Sequence, residues 1–231
     1  MTAQKWWVHR EECWQRSTRI IPSCYPPINL FEEVADAADF EAIYFVESLT
    51  NPRLRDQVGN IQLIPTADRI YGAGTSPIMA AFTHPNPEGS RFSDGSYGVY
   101  YAASDENTAI AETVYHRERL MSYQDVGPQE IAMRCYVGKV EGEFVDIRGL
   151  QQKKPDLYDP VSYAKSSVFG VARRKGNDWG ILYNSVRHAD GQCAAVFRPP
   201  VCKPVKQTKH YLYYWNGKSI HHIAEISAVT L

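Results

Sequence analysis

Short runs of apolar and aromatic residues recur along the C-terminal two thirds of the chain, and turn-forming residues separate them. Runs of this length and composition are typical of β-strands. They predict strands at residues 69–72, 98–103, 131–137, 144–147, 179–186, 193–198 and 211–215. The dipeptide Asn216-Gly217 follows the last run and predicts a hairpin turn, since both residue types tolerate positive φ.

Between two of these runs the apolar spacing changes to the period of a helix. Ser104 or Asp105 is suited to cap a helix that follows the strand at 98–103. The apolar face of that helix comprises Ala109, Ile110, Thr113 and Val114. The stretch before the strand, residues 72–90, is rich in Gly, Ser and Pro, so it is predicted to be a loop.

Two further helices are predicted. Asp159 is a suitable cap with Pro160 at the first helical position, and this helix should run to about Arg174 and end at Gly176. The other covers residues 29–46, where apolar residues recur at helical spacing. Together the elements predict an α+β fold with a strongly bent mixed or antiparallel sheet and flanking helices.

The first 66 residues differ from the rest of the chain. Trp6, Trp7 and Trp14 precede a proline-rich stretch at residues 21–27 that cannot continue a helix. We interpret residues 1–66 as an N-terminal extension packed on the core, with the tryptophans covering its hydrophobic surface. A partner-binding arm is the alternative. Residues 67–231 then form the main domain. Residues 1–66 are not expected to be an independent domain, because nothing resembling a linker separates the two parts.

The composition narrows the function classes. The chain has 231 residues, 44% of them hydrophobic, which is enough for a sizeable core. Its 25 basic and 26 acidic residues give a net charge of −1, so no nucleic-acid or anionic-membrane surface is expected. No apolar run approaches the roughly 20 residues of a membrane helix, and the N-terminus does not resemble a signal peptide. We therefore expect a soluble, cytoplasmic protein.

A metal site is not expected from the cysteines and histidines. The five cysteines are scattered without a C-x-x-C pair, which disfavours both a zinc site and a disulfide framework. His221 and His222 are adjacent, so they would point to opposite faces of a strand. Buried or surface thiols without a metal role are the simpler interpretation.

Candidate chemistry begins in the loop around Arg91. Small residues surround it, which lets backbone approach a ligand, and a guanidinium suits phosphate well. The alternative is an ordinary arginine in a surface loop. Tyr101 ends the following strand and can stack on a ring of the ligand, whereas its neighbour Tyr100 would face the core.

Glu112 and Ser185 complete the candidate site. Glu112 lies on the helix after Tyr101 among mostly apolar neighbours, so a buried carboxylate there needs a partner, and His116 is one turn away. An exposed helical glutamate is the alternative. Ser185 lacks the Gly-x-Ser-x-Gly elbow of a hydrolase nucleophile, so we expect its hydroxyl to hydrogen-bond a ligand. The absence of G-x-G-x-x-G and Walker motifs disfavours a Rossmann oxidoreductase.

These residues resemble the RES domain family over roughly residues 67–199. Gly89-Ser90-Arg91-Phe92 matches the family's Gly-x-Arg-Trp/Phe loop, although Ser93 replaces the usual asparagine. Tyr101 lies ten residues after Arg91 and eleven before Glu112, which is the family's spacing.

The same resemblance extends to the start of the domain. Arg69 and Tyr71 open it much as in other members, and a second cation there would suit a ligand with two phosphates. For Arg69, an ion pair with Asp68 or another acid is the alternative.

The resemblance implies an ADP-ribosyltransferase-like fold. It also implies an NAD+-consuming toxin of a bacterial toxin–antitoxin pair, restrained by an Xre-type antitoxin that blocks the active site. It implies that Glu112, Arg91, Ser185 and Tyr101 act in catalysis. Arg69, Tyr71, Arg91 and Tyr101 would bind NAD+, which is the substrate, and no metal is needed. ADP-ribose would pass to a protein acceptor. Hydrolysis or phosphorolysis that depletes NAD+, or an inactive nucleotide-binding or interaction module, are the alternatives.

Overall fold

The structure is a computed structural model that describes residues 5–23 and 58–227, together with residues 31, 32, 34, 36, 38–40, 42 and 44. Seven strands lie within these ranges. They are β1 (Val8–Pro22), β2 (Tyr100–Ala103), β3 (Gln129–Asp146), β4 (Gly180–Asn184), β5 (Gln192–Val196), β6 (Lys206–Trp215) and β7 (Ile220–Ile226). Three α-helices of eight or more residues accompany them: α1 (Ser76–Thr83), α2 (Glu106–Tyr123) and α3 (Ala164–Lys175).

The strands form one mixed sheet in the order β1-β2-β5-β4-β3-β6-β7. The strand β1 also pairs with β3, so the first five strands of this order close on themselves, and β6 and β7 extend the sheet from β3. The β3–β4 pair is parallel and the other pairs are antiparallel. The predicted α+β class with a strongly bent mixed sheet is confirmed.

Alternating side chains divide the interior into two cores, one on each face of the sheet. The first core contains Tyr100, Leu182 and Ala194, and α1 packs on it. The second core contains the adjacent residues Tyr183 and Cys193, and α2 and α3 contribute to it. Sequence neighbours on β2, β4 and β5 thus serve opposite faces. The face with the second core also carries the candidate site.

The long strand β1 was absent from the sequence prediction. It pairs with β3 from Val8 opposite Asp146 to Pro22 opposite Met133, with a bulge after Trp14. Trp6 and Trp7 pack against the second core, whereas Trp14 packs against the first. The N-terminal segment therefore supplies a strand of the sheet. A domain boundary at residues 66 and 67 stays a prediction.

Three element predictions are wrong. Residues 69–71 form no strand, and the stretch 72–90 contains α1, which Pro77 in its first turn and the buried Ile78 and Met79 favour. The runs 131–137 and 144–147 belong to the single strand β3 because pairing with β1 carries it through the polar residues between.

The predicted start of the helix at Asp159 and Pro160 is also wrong. Asp159 accepts hydrogen bonds from the backbone N–H of Val161 and Ser162, at 2.8 and 2.7 Å, and so closes a turn. The helix α3 begins only at Ala164. Half of the predicted helix at 29–46 lies outside the described residues, and residues 38–40, 42 and 44 within it are helical. No helix in the described part of the chain is long and apolar enough to cross a membrane.

Candidate active site

The helix α2 presents Glu112 to the end of β4. Asp105 caps this helix as expected, with its carboxylate accepting from the backbone N–H of Thr108 at 2.8 Å. Ser185 follows β4 directly, and its hydroxyl donates to Oε1 of Glu112 at 2.6 Å. Two residues 73 positions apart in the chain therefore form the centre of the site. The predicted partner of Glu112 was His116, and the structure places Ser185 against the carboxylate instead.

The hydroxyl of Ser185 has its full set of partners. Its oxygen accepts from the backbone N–H of Arg187 and of His188, each at 3.0 Å. A serine hydroxyl has two lone pairs and one hydrogen, so that hydrogen is available for Glu112. Ser185 therefore orients one carboxylate oxygen, and the other oxygen remains for a ligand. This arrangement is poorly suited to a nucleophilic serine, as the sequence indicated.

Arg91 is buried under the segment that contains Leu157 and Tyr163, so it is not an exposed arginine of a surface loop. The residue is 6% exposed, and one guanidinium nitrogen donates to the carbonyl of Leu157 at 3.0 Å. The guanidinium also lies 4.6 Å from the ring centre of Tyr163. Gly89 begins the loop at φ +78°, where a Cβ would come within 2.6 Å of the Ser93 carbonyl. Glycine is therefore required at the start of the loop.

Tyr101 is bonded to the same loop. Its hydroxyl accepts from the backbone N–H of Phe92 at 3.0 Å and pairs with the Ser90 hydroxyl at 2.9 Å. Burial raises the pKa of Tyr101 to about 12, so the group is neutral at physiological pH. Tyr100 is 1% exposed in the first core, which agrees with the opposite facing of the two tyrosines.

The buried Tyr183 lies among the candidate residues. Burial raises its pKa well above the usual value, the charge of Glu112 and the hydroxyl of Tyr101 raise the pKa further, and the charge of Arg91 lowers it. The ring centre of Tyr183 lies 5.0 Å from that of Phe92, which follows Arg91 in the loop and donates its N–H to the Tyr101 hydroxyl. The thiol of Cys193, next to Tyr183 in the paired strand, lies 3.9 Å from Oε1 of Glu112. The structure therefore brings Arg91, Tyr101, Glu112 and Ser185 to one region.

Ser93 has a role within the loop. Its hydroxyl donates to the Tyr97 carbonyl at 2.7 Å and accepts from the Gly95 N–H at 3.1 Å. The side chain is 3% exposed. Serine at this position thus completes the loop's internal hydrogen bonds, which leaves its hydroxyl no spare hydrogen for a ligand.

Arg69 and Tyr71 are not brought to this region. Tyr71 packs against the first core, with its ring centre 5.6 Å from that of Phe40. Arg69 donates to the carbonyl of Ile64, which is another residue of the first core. Asp68, suggested as a partner of Arg69, pairs with Arg198 at 2.7 Å. Binding roles for Arg69 and Tyr71 stay predictions.

Sequence reasoning missed the cationic and aromatic surroundings of Glu112. Arg187 stacks on the ring of Tyr115 with its guanidinium carbon 3.3 Å from the ring centre, and it also donates to the carbonyl of Pro160. The buried Nε of Arg187 has no hydrogen-bond partner in the described part of the chain. Arg119 lies 5.9 Å from the ring centre of Tyr163. The spacing Ser185-x-Arg187 was the signal available for this cation.

The site therefore combines an oriented carboxylate with nearby arginines and aromatic rings. Such a set can face a positive centre with Glu112 while cations hold an anionic ligand. No group of three or more His, Cys, Asp and Glu side chains suited to a metal ion occurs within the described residues.

Comparison with known proteins identifies the family of this chain. The model of the RES domain matches residues 66–216, which include all four clustered residues. The chain belongs to the RES domain family. This RES protein is also 34% identical over 205 residues to the protein y4oC of Sinorhizobium fredii, a match that covers 87% of this chain and 84% of that protein.

A solved structure also resembles this RES protein. It is the toxin–antitoxin complex MbcT–MbcA of M. tuberculosis, whose matching chain is 12% identical with a TM-score of 0.39. The match covers 57% of this chain and 74% of that one.

Proposed function

We propose that this RES protein is an NAD+-consuming toxin that acts in the cytoplasm and cleaves the bond between nicotinamide and ribose. The observation that supports this proposal most directly is the 2.6 Å hydrogen bond from Ser185 to Glu112, which fixes a carboxylate beside arginines. Membership of the RES family, matched over residues 66–216, supports the substrate.

Glu112 would stabilise the transition state. When nicotinamide leaves, positive charge develops on the ribose, and a fixed carboxylate stabilises this charge more than it stabilises the neutral ribose of the ground state. One oxygen of Glu112 is held by Ser185, so the other would face the ribose. The electron pair of the broken bond leaves with nicotinamide.

The arginines would hold the pyrophosphate. Arg91 is anchored by Leu157 and Tyr163, and Arg187 by Tyr115 and Pro160, so both guanidinium groups are pre-ordered. Tyr101 would act through the Arg91 loop, which its hydroxyl supports. Ordered cations lose little conformational entropy when an anion binds.

ADP-ribosyl transfer to a protein is the acceptor reaction that we propose, and an Xre-type antitoxin is the proposed partner that covers the site. Release to water or phosphate, which would deplete NAD+, is the second candidate. Incubation with labelled NAD+ distinguishes them, since transfer leaves label on protein and depletion leaves it on small molecules.

Release of nicotinamide from NAD+ by the purified protein tests the activity. Glu112→Gln should lower the turnover by about 100-fold, which is the scale of one lost electrostatic contact in the transition state. Glu143→Gln, at an exposed position of β3, is the matched control and should leave turnover unchanged. No nicotinamide release by the wild-type protein would instead favour an inactive nucleotide-binding or interaction module.

A further inference from the structure

A buried threonine connects the cap of α2 to the turn that carries Ser185. The hydroxyl of Thr108 lies 2.7 Å from Oδ2 of Asp105 and 2.8 Å from Nδ1 of His188, and Thr108 is fully buried. Residue 108 lies about one turn before Glu112 on the site's helix, whereas His188 lies 80 residues away in the sequence. The hydroxyl therefore bridges two separate elements of the site.

The direction of each hydrogen bond follows from the number of hydrogens. An ionised carboxylate only accepts, so Thr108 donates its one hydrogen to Asp105. Partial burial works to raise the pKa of Asp105, but hydrogen bonds from Thr108 and Ser104 lower it, and the pKa lies below its usual value. The Thr108 oxygen must then accept from His188, which fixes the imidazole hydrogen on Nδ1.

His188, at the other end of this series of hydrogen bonds, also holds Ser185. The backbone N–H of His188 is one of the two donors to the Ser185 hydroxyl, and its carbonyl accepts from the N–H of Gly191 at 3.2 Å. Gly191 leaves no room for a side chain, because a Cβ there would lie 2.6 Å from the Thr108 hydroxyl. Asp105 thus caps the helix of Glu112 with one oxygen and, through Thr108 and His188, holds the turn of Ser185 with the other.

We infer that Thr108 and His188 are positioning residues that fix the Ser185–Glu112 pair, an inference that rests on the proposed function. A carboxylate that meets charge only in the transition state must be held closely, since a displacement of about 1 Å can cost about 100-fold in rate. The loss of one hydrogen bond between Asp105, Thr108 and His188 should displace the carboxylate of Glu112 by less than this. We therefore expect kcat to fall about 10-fold.

Thr108→Val tests this arrangement, because valine keeps the shape and the backbone N–H that Asp105 caps but removes both side-chain hydrogen bonds. We expect kcat for nicotinamide release to fall about 10-fold while KM changes less than about two-fold. Thr108→Ser restores the hydroxyl and should restore kcat. Equal activity of the valine variant and the wild type would overturn the inference.

The two variants at His188 test the other half. An asparagine side chain offers an N–H close to the position of Nδ1, so His188→Asn should keep most of kcat, whereas His188→Ala should lose about as much as Thr108→Val. If His188→Asn were as impaired as His188→Ala, the imidazole itself would be needed and the positioning role would be wrong. These variants serve even if Thr108→Val fails to fold.

Nitrogen NMR of the histidine ring gives a readout independent of activity. The wild type should show the hydrogen of His188 on Nδ1, and Thr108→Val should lose this preference. Finding the hydrogen on Nε2 in the wild type would overturn the inference. Absence of NAD+ cleavage with the expected tautomer would count against the proposed function alone.

Discussion

At the residue scale, the site depends on how Ser185 distributes one hydrogen and two lone pairs. Two backbone N–H groups occupy the lone pairs, and the hydrogen goes to Glu112. Helical spacing within α2 could suggest only partners from the same helix, such as His116. The end of β4 lies next to Glu112 only in the folded protein, and Ser185 is 73 residues away in the sequence. The resemblance to the RES domain nevertheless singled out both residues as site candidates.

Ser185→Ala should affect both stability and activity. It leaves the N–H groups of Arg187 and His188 without their acceptor, which should lower the free energy of unfolding by about 1–3 kcal/mol. The freed carboxylate of Glu112 should lower kcat as well. Urea unfolding and nicotinamide release measure the two effects. The exposed Ser122 of α2 is the control, and Ser122→Ala should change neither. An unaltered kcat would remove Ser185 from the mechanism.

Arg91 should contribute to NAD+ binding through its charge and its planar shape. We expect Arg91→Ala to weaken affinity by 10-fold or more, about 1.4 kcal/mol, and Arg91→Lys to recover part of it, because a lysine lacks the planar contacts to Tyr163 and Leu157. Calorimetry in the Glu112→Gln background avoids turnover. Unchanged affinity in both variants would assign Arg91 a purely structural role.

At the element scale, the Arg91 loop and β2 depend on one another. The Tyr101 hydroxyl accepts from the buried N–H of Phe92, so the strand's last tyrosine closes the loop that precedes the strand. Family spacing predicted that Tyr101 faces the site, but it could not show that the hydroxyl is used by the loop. That contact depends on the backbone path of residues 89–97.

Tyr101→Phe should therefore destabilise the loop. Loss of the acceptor for the Phe92 N–H should cost about 1–3 kcal/mol of unfolding free energy. Because the pKa in the folded state is about 12, above the usual value near 10, the wild type should lose this residue's contribution to stability as the pH rises from about 10 to about 12. The phenylalanine variant should lack that component of the alkaline transition. Identical alkaline unfolding of both proteins would contradict this assignment.

Local signals explain which elements were predictable. Asp105 and the apolar spacing after it define α2 because a cap and a helical period are both short-range features. The first half of β1, Val8 to Arg16, is mostly exposed, so it lacks the alternation that marks a half-buried strand. Pairing with β3 creates this strand. The short helix α1 was not predicted, because the Gly, Ser and Pro residues in and around it are typical of a loop.

At the scale of the whole molecule, β1 connects the two sides of the fold. It pairs with β2 at Thr18 and with β3 along most of its length, and Glu12 meets Arg148 beyond the end of β3 at 2.7 Å. We expect removal of residues 1–22 to abolish cooperative folding, because β3 would lose its partner along one edge. Circular dichroism and thermal unfolding of residues 23–231 measure this. A cooperative transition in the truncated protein would show that the domain starts later.

Expression of the whole protein in bacteria tests the proposed biology. Wild-type protein should arrest growth and lower cellular NAD+, whereas Glu112→Gln at equal abundance should do neither. The Glu143→Gln control should arrest growth like the wild type. Co-expression of an Xre-type antitoxin, if one is encoded beside the gene, should relieve the arrest. Harmless expression of the wild type would contradict the toxin proposal.

The cover over Arg91 has a kinetic consequence. Arg91 is only 6% exposed, so a ligand can reach its guanidinium only after the Tyr163 ring moves aside, while the hydrogen bond to the Leu157 carbonyl still orients the group. We therefore expect association to be slower than free diffusion allows and to level off at high NAD+ concentration, where the movement itself limits the rate. Stopped-flow mixing with Glu112→Gln would show this plateau, and Tyr163→Ala should raise it.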